Sequence, residues 1–323
     1  MTGIPDEQLT FFEEQGYLLA KGLLDPVQDL DPVMREYEGV LDNLAIELYQ
    51  QRVIASTYDD LPFGERLTKI YGKSGRVHAQ YFDFSLPQGS VKKDTPFWAG
   101  SAVFHMLTSP RLLDAVETFI GPEIYSNPVQ HVRIKPPEHL TPVNPDTGRI
   151  QLGITPWHQD NGVVLPDADE TDMLTAWFPL TDATIEQGCL CVIPKSHREG
   201  LMHHCPANWG LEIPQTVYER SNILPVPMQR GDVLFLHKHT CHSSLPNKSH
   251  EIRWSFDLRY NPIGQSTGRG AFPGFVARSQ SRPEQVLRDP EVWYQLWRKT
   301  RDTLAQSEDH PFNRWSKDHP ACA

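Results

Sequence analysis

Residues 232–260, DVLFLHKHTCHSSLPNKSHEIRWSFDLRY, contain two short runs rich in aromatic and β-branched residues, with a polar stretch and a Pro-Asn pair between them. Runs of this composition bounded by turn residues predict β-strands. Three further runs have the same character: EIYSNPVQHVRI (123–134), MLTAWFPL (173–180) and GCLCVIP (188–194). Several short strands interrupted by Pro, Gly and Asn indicate a β-barrel or a β-sandwich.

Helical periodicity flanks this region on both sides. Residues 6–15 and 111–120 carry apolar residues at helical spacing, and each segment is followed by a glycine, a typical helix-ending residue. Asp-Pro pairs at 31–32 and 289–290 predict helix starts with the aspartate as N-cap. We therefore predict one domain over residues 1–323, mainly β with flanking α-helices: a helical part over about 1–121, a core over about 122–262 and a helical tail over about 283–307.

The composition disfavours several classes of protein. The chain of 323 residues has 30 Lys+Arg against 41 Asp+Glu, and this net charge of −11 disfavours nucleic acid and anionic membranes as partners. It shows no apolar run of about 18 residues, no signal peptide and no peroxisomal tripeptide, so we predict a cytoplasmic protein. Five cysteines form an odd, sparse set, which favours free thiols over a disulfide framework.

A histidine and the aspartate two positions after it form the first half of a candidate metal site. In an extended segment, residues i and i+2 point to the same side, so His158 and Asp160 could bind one metal ion together. Alone, such a pair is weak evidence. His242 adds a third ligand, and we prefer it to His237 and His239 because a serine follows it by two residues and an arginine by eleven. Two histidines and one carboxylate are the facial triad of non-haem Fe(II) oxygenases.

Arg253 and Ser255 form a candidate receptor for a carboxylate. They lie two residues apart on a predicted strand and share its inward face. We expect a hairpin that turns at Pro246-Asn247 and places Arg253 deep in a barrel whose mouth holds the metal. A planar guanidinium beside a hydroxyl suits the distal carboxylate of a 2-oxo acid.

In these motifs the chain resembles the phytanoyl-CoA dioxygenase-like branch of the Fe(II)/2-oxoglutarate-dependent oxygenases. The resemblance covers nearly the whole sequence and implies a double-stranded β-helix, the cupin-like jelly roll, with flanking helices. The segments that carry it are LTFFEEQGYLLAKGLL (9–24), IKPPE (134–138), TPWHQD (155–160), LTAWFPLTDATIEQGCLCVIPKSHREG (174–200) and GDVLFLHKHTCHSSLPNKSHEIRWSFDLRYNP (231–262).

The resemblance also implies roles for single residues. His158, Asp160 and His242 match the iron ligands, and Arg253 matches the residue that binds the distal carboxylate of 2-oxoglutarate. Three other positions match residues that contact this cosubstrate in relatives: Gln159, Trp177 and Ser244. Ser255 completes the Arg-x-Ser pattern of the wider superfamily and is expected to help bind the cosubstrate. One strand implied to face the pocket contains Gln130, His131 and Arg133, and the choice among these three stays open.

The activity implied is an Fe(II)-, 2-oxoglutarate- and O₂-dependent oxidation of a small molecule, with release of succinate and CO₂. Hydroxylation of an unactivated C–H bond is the simplest form, and a specialised metabolite is the favoured substrate. Two alternatives stay open: a cupin-like metalloenzyme that does not use 2-oxoglutarate, and a catalytically silent jelly roll that senses or scaffolds. The long polar loop 197–222, which includes Trp209, is expected to close over the pocket.

Overall fold

The computed structural model describes residues 3–207, 210–218, 222–306 and 310–322. Within these ranges no helix has both the length and the apolar character needed to cross a membrane. The helices are α1 (Asp6–Gln15), α2 (Asp31–Gln50), α3 (Phe63–Ser74), α4 (Ser101–Leu107), α5 (Pro110–Ile120), α6 (Gln215–Tyr218) and α7 (Pro290–Leu304). The strands are β1 (Tyr17–Ala20), β2 (Ile124–Lys135), β3 (Leu174–Pro179), β4 (Leu190–Val192), β5 (Cys205–Ala207), β6 (Gly210–Glu212), β7 (Leu224–Val226), β8 (Val233–His237), β9 (His242–Ser244), β10 (Arg253–Pro262) and β11 (Phe275–Arg278).

Two antiparallel sheets build the core. The large sheet has the strand order β1-β8-β3-β10-β2-β11, and the small sheet has the order β7-β4-β9. Side chains from both sheets line one cavity, with Trp177 and Arg253 from the large sheet and Leu190 and His242 from the small one. The fold is the predicted β-rich jelly roll with flanking helices. β1 and β11 extend the large sheet beyond residues 122–262.

Strand β10 shows how the alternation of side chains positions the site. Arg253 and Asp257 line the cavity, whereas Trp254 and Phe256 are fully buried in the main hydrophobic core. Tyr37 of α2 packs against both aromatic rings, with centroid distances of 5.2 and 6.5 Å. Because the two faces of this strand differ so strongly, a slip of one residue would bury the charges among the helices. Helix packing on one face therefore fixes the register of the polar residues on the other.

The predicted helix start at Asp31 is wrong in detail. The chain is already helical over Pro26–Leu30, a π-helical turn that runs directly into α2. Asp25 caps this turn by accepting hydrogen bonds from the backbone N–H groups of Val27 and Gln28, at 2.9 and 3.0 Å. The carboxylate of Asp31 is instead paired with Arg230. The pair Asp25-Pro26, six residues earlier, has the same helix-start pattern, and it is the pair at which the helical segment begins. The start predicted at Asp289 agrees with the structure, because its side chain accepts from the N–H of Glu291.

The predicted hairpin between the strands of His242 and Arg253 is also wrong. β9 belongs to the small sheet and β10 to the large one, so residues 245–252 cross between the sheets. Asn247 stabilises this crossing, because its amide group donates to the backbone oxygens of Lys135 and Glu251 at 3.1 and 2.8 Å. A hairpin and a crossing require similar turn residues, and the local sequence does not separate them.

The expectation of free thiols holds for three of the five cysteines. Cys205 and Cys322 form a disulfide, whereas the thiols of Cys189, Cys191 and Cys241 are free and buried. The bonded residues are 117 positions apart in the sequence. Their pairing depends on the C-terminal tail lying close to β5, which cysteine spacing does not reveal.

Candidate metal centre

The three predicted metal ligands meet at one end of the cavity. His158 and His242 face each other across a two-residue bridge in which each backbone N–H donates to the other's carbonyl at 3.0 Å. The Nε2 atoms of His158 and His242 lie 3.9 and 3.8 Å from Oδ1 of Asp160. All three ligand atoms lie within 4.8 Å of one another. The bridge thus brings together ligands that are 84 positions apart in the sequence.

Both imidazoles are held in the tautomer that metal binding requires. Nδ1 of His158 lies 2.8 Å from the carbonyl oxygen of Pro156, and Nδ1 of His242 lies 2.9 Å from that of Thr240. A carbonyl oxygen only accepts, so each Nδ1 carries the proton and each Nε2 lone pair is available. Burial, together with the neighbouring His242, holds the pKa of His158 well below its usual range. This ring is therefore neutral, which is the form that binds a metal ion.

Asp160 is held as a buried carboxylate. Burial alone would raise its pKa, but Arg259, helped by the two histidines, outweighs this and the pKa lies below its usual range. Arg259 donates to Oδ1, and the hydroxyl of Thr175 donates to Oδ2. These partners orient the carboxylate towards the histidines. The donor set, one anionic oxygen and two neutral nitrogens, fits a divalent iron ion.

Arg253 lines the same cavity and has no anionic partner within the described part of the chain. It is 1% exposed. Its Nη1 donates to the hydroxyl of Ser255 at 2.7 Å, and its guanidinium carbon lies 5.5 Å from the centre of the Trp177 ring. Burial, with a contribution from Arg133, lowers the pKa of Arg253 to about 10, so it is still protonated at neutral pH. A buried cation without a counter-ion is costly, and a bound carboxylate would offset that cost.

Two further basic residues, Lys135 and Arg133, lie close to Arg253. Lys135 lies opposite Arg253 in the register of β2 and β10. Its Nζ donates to the hydroxyls of Ser244 and Thr155 at 2.7 and 3.3 Å, and burial holds the pKa of Lys135 well below its usual range. Arg133, two residues earlier, lines the cavity. Sequence reasoning did not select Lys135, although the IKPPE segment that carries the resemblance contains it.

Two predicted cosubstrate contacts point away from the cavity. Gln159 donates to the backbone oxygens of Gly200 and His239 at 2.8 and 2.7 Å and accepts from the N–H of Met202 at 2.7 Å. It therefore ties together the loops around the metal ligands. Gln130 donates to the hydroxyl of Ser126 and to the backbone oxygen of Arg259. These contacts correct the expectation that either glutamine faces the cosubstrate. On the strand of Gln130, the residues that line the cavity are instead Val129, His131 and Arg133.

Some of the remaining predicted residues lie at the cavity and others lie apart from it. Trp177 lines the cavity beneath Arg253, and Ser255 contacts Arg253 directly. Ser244 does not line the cavity, but its hydroxyl contacts Nζ of Lys135 at 2.7 Å and the backbone N–H of Thr155 at 2.8 Å. The alternative histidines stand apart from the triad: the rings of His237 and His239 lie 5.5 Å from each other, and Nε2 of His239 lies 3.5 Å from the amide of Asn161.

The cavity itself has a volume of about 360 Å³. Residues 80–88 and the β6 residues Gly210 and Leu211 form its outer wall. His131 lies on this side, with its Nδ1 2.9 Å from the carboxylate of Asp83. Trp209, which we expected in a closing loop, lies outside the described residues. The space is large enough for a cosubstrate and a small organic molecule but not for a macromolecule.

A jelly roll that holds two histidines and an aspartate beside a buried arginine defines the class of non-haem iron proteins that use a 2-oxo acid. The chain belongs to the phytanoyl-CoA dioxygenase (PhyH) family, whose model matches residues 12–255. This membership confirms the predicted family and its cofactors, iron and 2-oxoglutarate.

Curated relatives agree with this assignment. The chain is 31% identical to a 1-deoxypentalenic acid 11-beta-hydroxylase of Streptomyces arenae over 165 residues, which cover 45% of this chain and 54% of the relative. It is 26% identical to the peroxisomal phytanoyl-CoA dioxygenase of Bos taurus over 262 residues, 79% of this chain and 67% of the relative. The match thus spans about half the length of the first relative and two thirds of the second.

Solved structures support the fold. The non-haem monooxygenase ThoJ superposes with a TM-score of 0.53 at 18% sequence identity, and the match covers 92% of this chain and 98% of ThoJ. At this level of identity the likeness concerns the fold alone.

Proposed function

We propose that this protein is an Fe(II)/2-oxoglutarate-dependent oxygenase that oxidises an unactivated C–H bond of a small molecule. The observation that carries the proposal is the presence of a facial triad and an unpaired buried arginine in one cavity. The triad suits iron, and Arg253 suits the distal carboxylate of 2-oxoglutarate. Arg253 has no anionic partner in the described residues, and the Nε2 atoms of His158 and His242 converge on one oxygen of Asp160.

Each residue has a definable task in this scheme. His158, Asp160 and His242 would hold the iron, which when bound supplies the oxidising chemistry with O₂. Arg253 binds and orients the distal carboxylate of the cosubstrate, and the hydroxyl of Ser255 fixes the direction of the guanidinium. The hydrogen bonds at Nδ1 keep both histidine Nε2 atoms aimed at the site, so binding requires little reorganisation.

The substrate would occupy the part of the cavity near His131 and Asp83, away from Arg253. A polar pair there, beside Val129 and Leu86, suits a small molecule with a mixed polar and apolar surface. A specialised metabolite is our favoured class. The relative in Streptomyces arenae, named as a hydroxylase of 1-deoxypentalenic acid, supports an organic acid as the substrate.

Turnover of the cosubstrate separates this proposal from its alternatives. The purified protein should convert 2-oxoglutarate to succinate only with both Fe(II) and O₂, and a true substrate from a metabolite library should stimulate the conversion. Oxidation of a substrate without succinate would indicate a cupin-like enzyme that does not need 2-oxoglutarate. Absence of any turnover, despite tight binding of iron and 2-oxoglutarate, would indicate a sensor or a scaffold.

The loop 197–222 should become protected when substrate binds. The described part of this loop brings Gly210 and Leu211 to the cavity, so closure over a bound molecule would bury their amides. Hydrogen exchange of residues 205–218 should slow with the true substrate and stay unchanged in residues 31–50, which lie in α2. Equal exchange in the loop with and without substrate would refute the lid.

A further inference from the structure

The C-terminal tail, residues 310–322, lies against the segment that carries Asp160. The indole N–H of Trp315 donates to the backbone oxygen of Gly162 at 2.6 Å. Arg314 binds the carboxylate of Asp169, with Nη2 2.7 Å from Oδ2. The Trp315 ring stacks on His204 with centroids 5.4 Å apart. The tail therefore buttresses the metal-bearing loop from outside the cavity.

Four metal-binding side chains gather where this tail ends. His203 and Cys205 come from the loop before and within β5, and His319 and Cys322 come from the tail. The ligand atoms of His203, Cys205 and Cys322 lie within 4.8 Å of one another. The rings of His203 and His319 stack with centroids 3.7 Å apart. None of the four residues lines the cavity of the facial triad.

The imidazole of His203 has a nitrogen available for a metal ion. Its Nε2 is buried and has no hydrogen-bond partner, which leaves a polar atom unsatisfied. Burial, together with the neighbouring His319, lowers the pKa of His203, so the ring is neutral at neutral pH. His319 accepts from the N–H of Ala321 through Nδ1 at 3.2 Å, which leaves its Nε2 free of that contact.

We propose that His203, Cys205, His319 and Cys322 form a zinc site when the disulfide is reduced, so that a Zn²⁺ ion replaces the sulfur–sulfur bond as the link between tail and loop. Two thiolates and two imidazoles are a donor set that zinc takes in structural sites. Tetrahedral ligands at zinc bond lengths are separated by roughly 3.3–3.8 Å. The ligand atoms of His203, Cys205 and Cys322 already lie close together, within 4.8 Å of one another, and the ring of His319 would turn out of its stack on His203 to become the fourth ligand. The two thiolates neutralise the ion, so the site adds no net charge.

Replacement of the disulfide by a zinc ion takes two steps, a reduction and then metal binding. Reduction of the disulfide takes two electrons and two protons. A dithiol supplies both and becomes a disulfide, whereas a phosphine supplies the electrons and becomes its oxide, with water supplying the two protons and the oxygen. Binding of Zn²⁺ to the two thiols then releases two protons, and the neutral histidines bind without proton loss. The tail would thereby stay attached in a reducing compartment, where a disulfide does not persist.

Cobalt(II) substitution tests the proposal directly. The full-length protein, reduced with a phosphine and freed of metal by chelation, is titrated with Co²⁺ without oxygen. We expect thiolate-to-cobalt charge-transfer absorption and the intense ligand-field bands of a tetrahedral centre, and both should vanish when Zn²⁺ displaces the cobalt. The facial triad has no sulfur ligand, so it cannot produce the charge-transfer absorption.

Variants decide the outcome. C322S and H203A should lose these bands, whereas H250A, the change of an exposed histidine elsewhere, should keep them. Absence of thiolate bands in the reduced wild type would overturn the proposal, and so would their persistence in C322S. The result is independent of the proposed oxygenase function, because the readout needs neither 2-oxoglutarate nor turnover.

Discussion

Arg253→Ala is expected to weaken the binding of 2-oxoglutarate by about two to three orders of magnitude while leaving metal binding intact. In the wild type the cosubstrate carboxylate would complete a buried ion pair, and loss of one partner of such a pair costs about 3–5 kcal/mol. Calorimetric titration of 2-oxoglutarate into the anaerobic Fe(II) protein measures this difference. The metal ligands have no hydrogen bond to Arg253, so the Fe(II) affinity should change little.

Two further variants sharpen the interpretation. Arg253→Lys should recover only part of the affinity, because an ammonium group cannot present the planar pair of donors. Lys135→Met keeps the buried aliphatic volume and removes an amino group that contacts only hydroxyls, so its effect should be smaller than that of Arg253→Ala. Wild-type affinity in Arg253→Ala would show that another cation, Lys135 or Arg133, holds the carboxylate.

The metal ligands were predictable because the signal is local. His158 and Asp160 are separated by one residue, and any extended segment brings such a pair to one side. The same rule places Gln159, which lies between them, on the opposite side, and the structure shows it bound to Gly200 and His239. The contact with the cosubstrate that the family resemblance implies for Gln159 conflicts with this geometry. Alternation along β2 likewise separates Gln130 from its neighbours at 131 and 133.

Features that depend on distant parts of the chain were not predictable. The crossing from β9 to β10 is stabilised by an amide that bonds to Lys135, more than one hundred residues earlier. The Cys205–Cys322 pair requires the C-terminal tail to reach strand β5, 117 positions earlier in the sequence. Hydrophobic periodicity says which face of an element is buried but not which sheet the element joins. The sequence therefore predicts the metal ligands better than the long-range contacts that hold them in place.

Removal of a true metal ligand should abolish turnover, whereas removal of a neighbouring histidine should not. His242→Ala takes away one of three ligand atoms that lie within 4.8 Å of one another, so we expect no product and no succinate above background. His239 is the matched control, since its Nε2 has only a long, 3.5 Å contact with Asn161. Burial and the adjacent Lys238 lower the pKa of His239 to about 4, so His239→Ala removes no charge near neutral pH. It should reduce turnover by about tenfold to a hundredfold at most.

Asp160→Ala tests the carboxylate ligand and is expected to be equally inactive. This change leaves Arg259 buried without the carboxylate that it binds, so loss of activity could reflect unfolding. Asp160→Asn keeps the shape and a hydrogen-bond acceptor for Arg259 but removes the negative charge that iron needs. Thermal unfolding of both variants identifies any folding defect.

Anaerobic titration of Fe(II) with 2-oxoglutarate should then give the visible charge-transfer band of the chelate in the wild type and in His239→Ala, and no such band in Asp160→Asn or His242→Ala. If the band instead persisted in His242→Ala and vanished in His239→Ala, the assignment of the third ligand would have to move to His239.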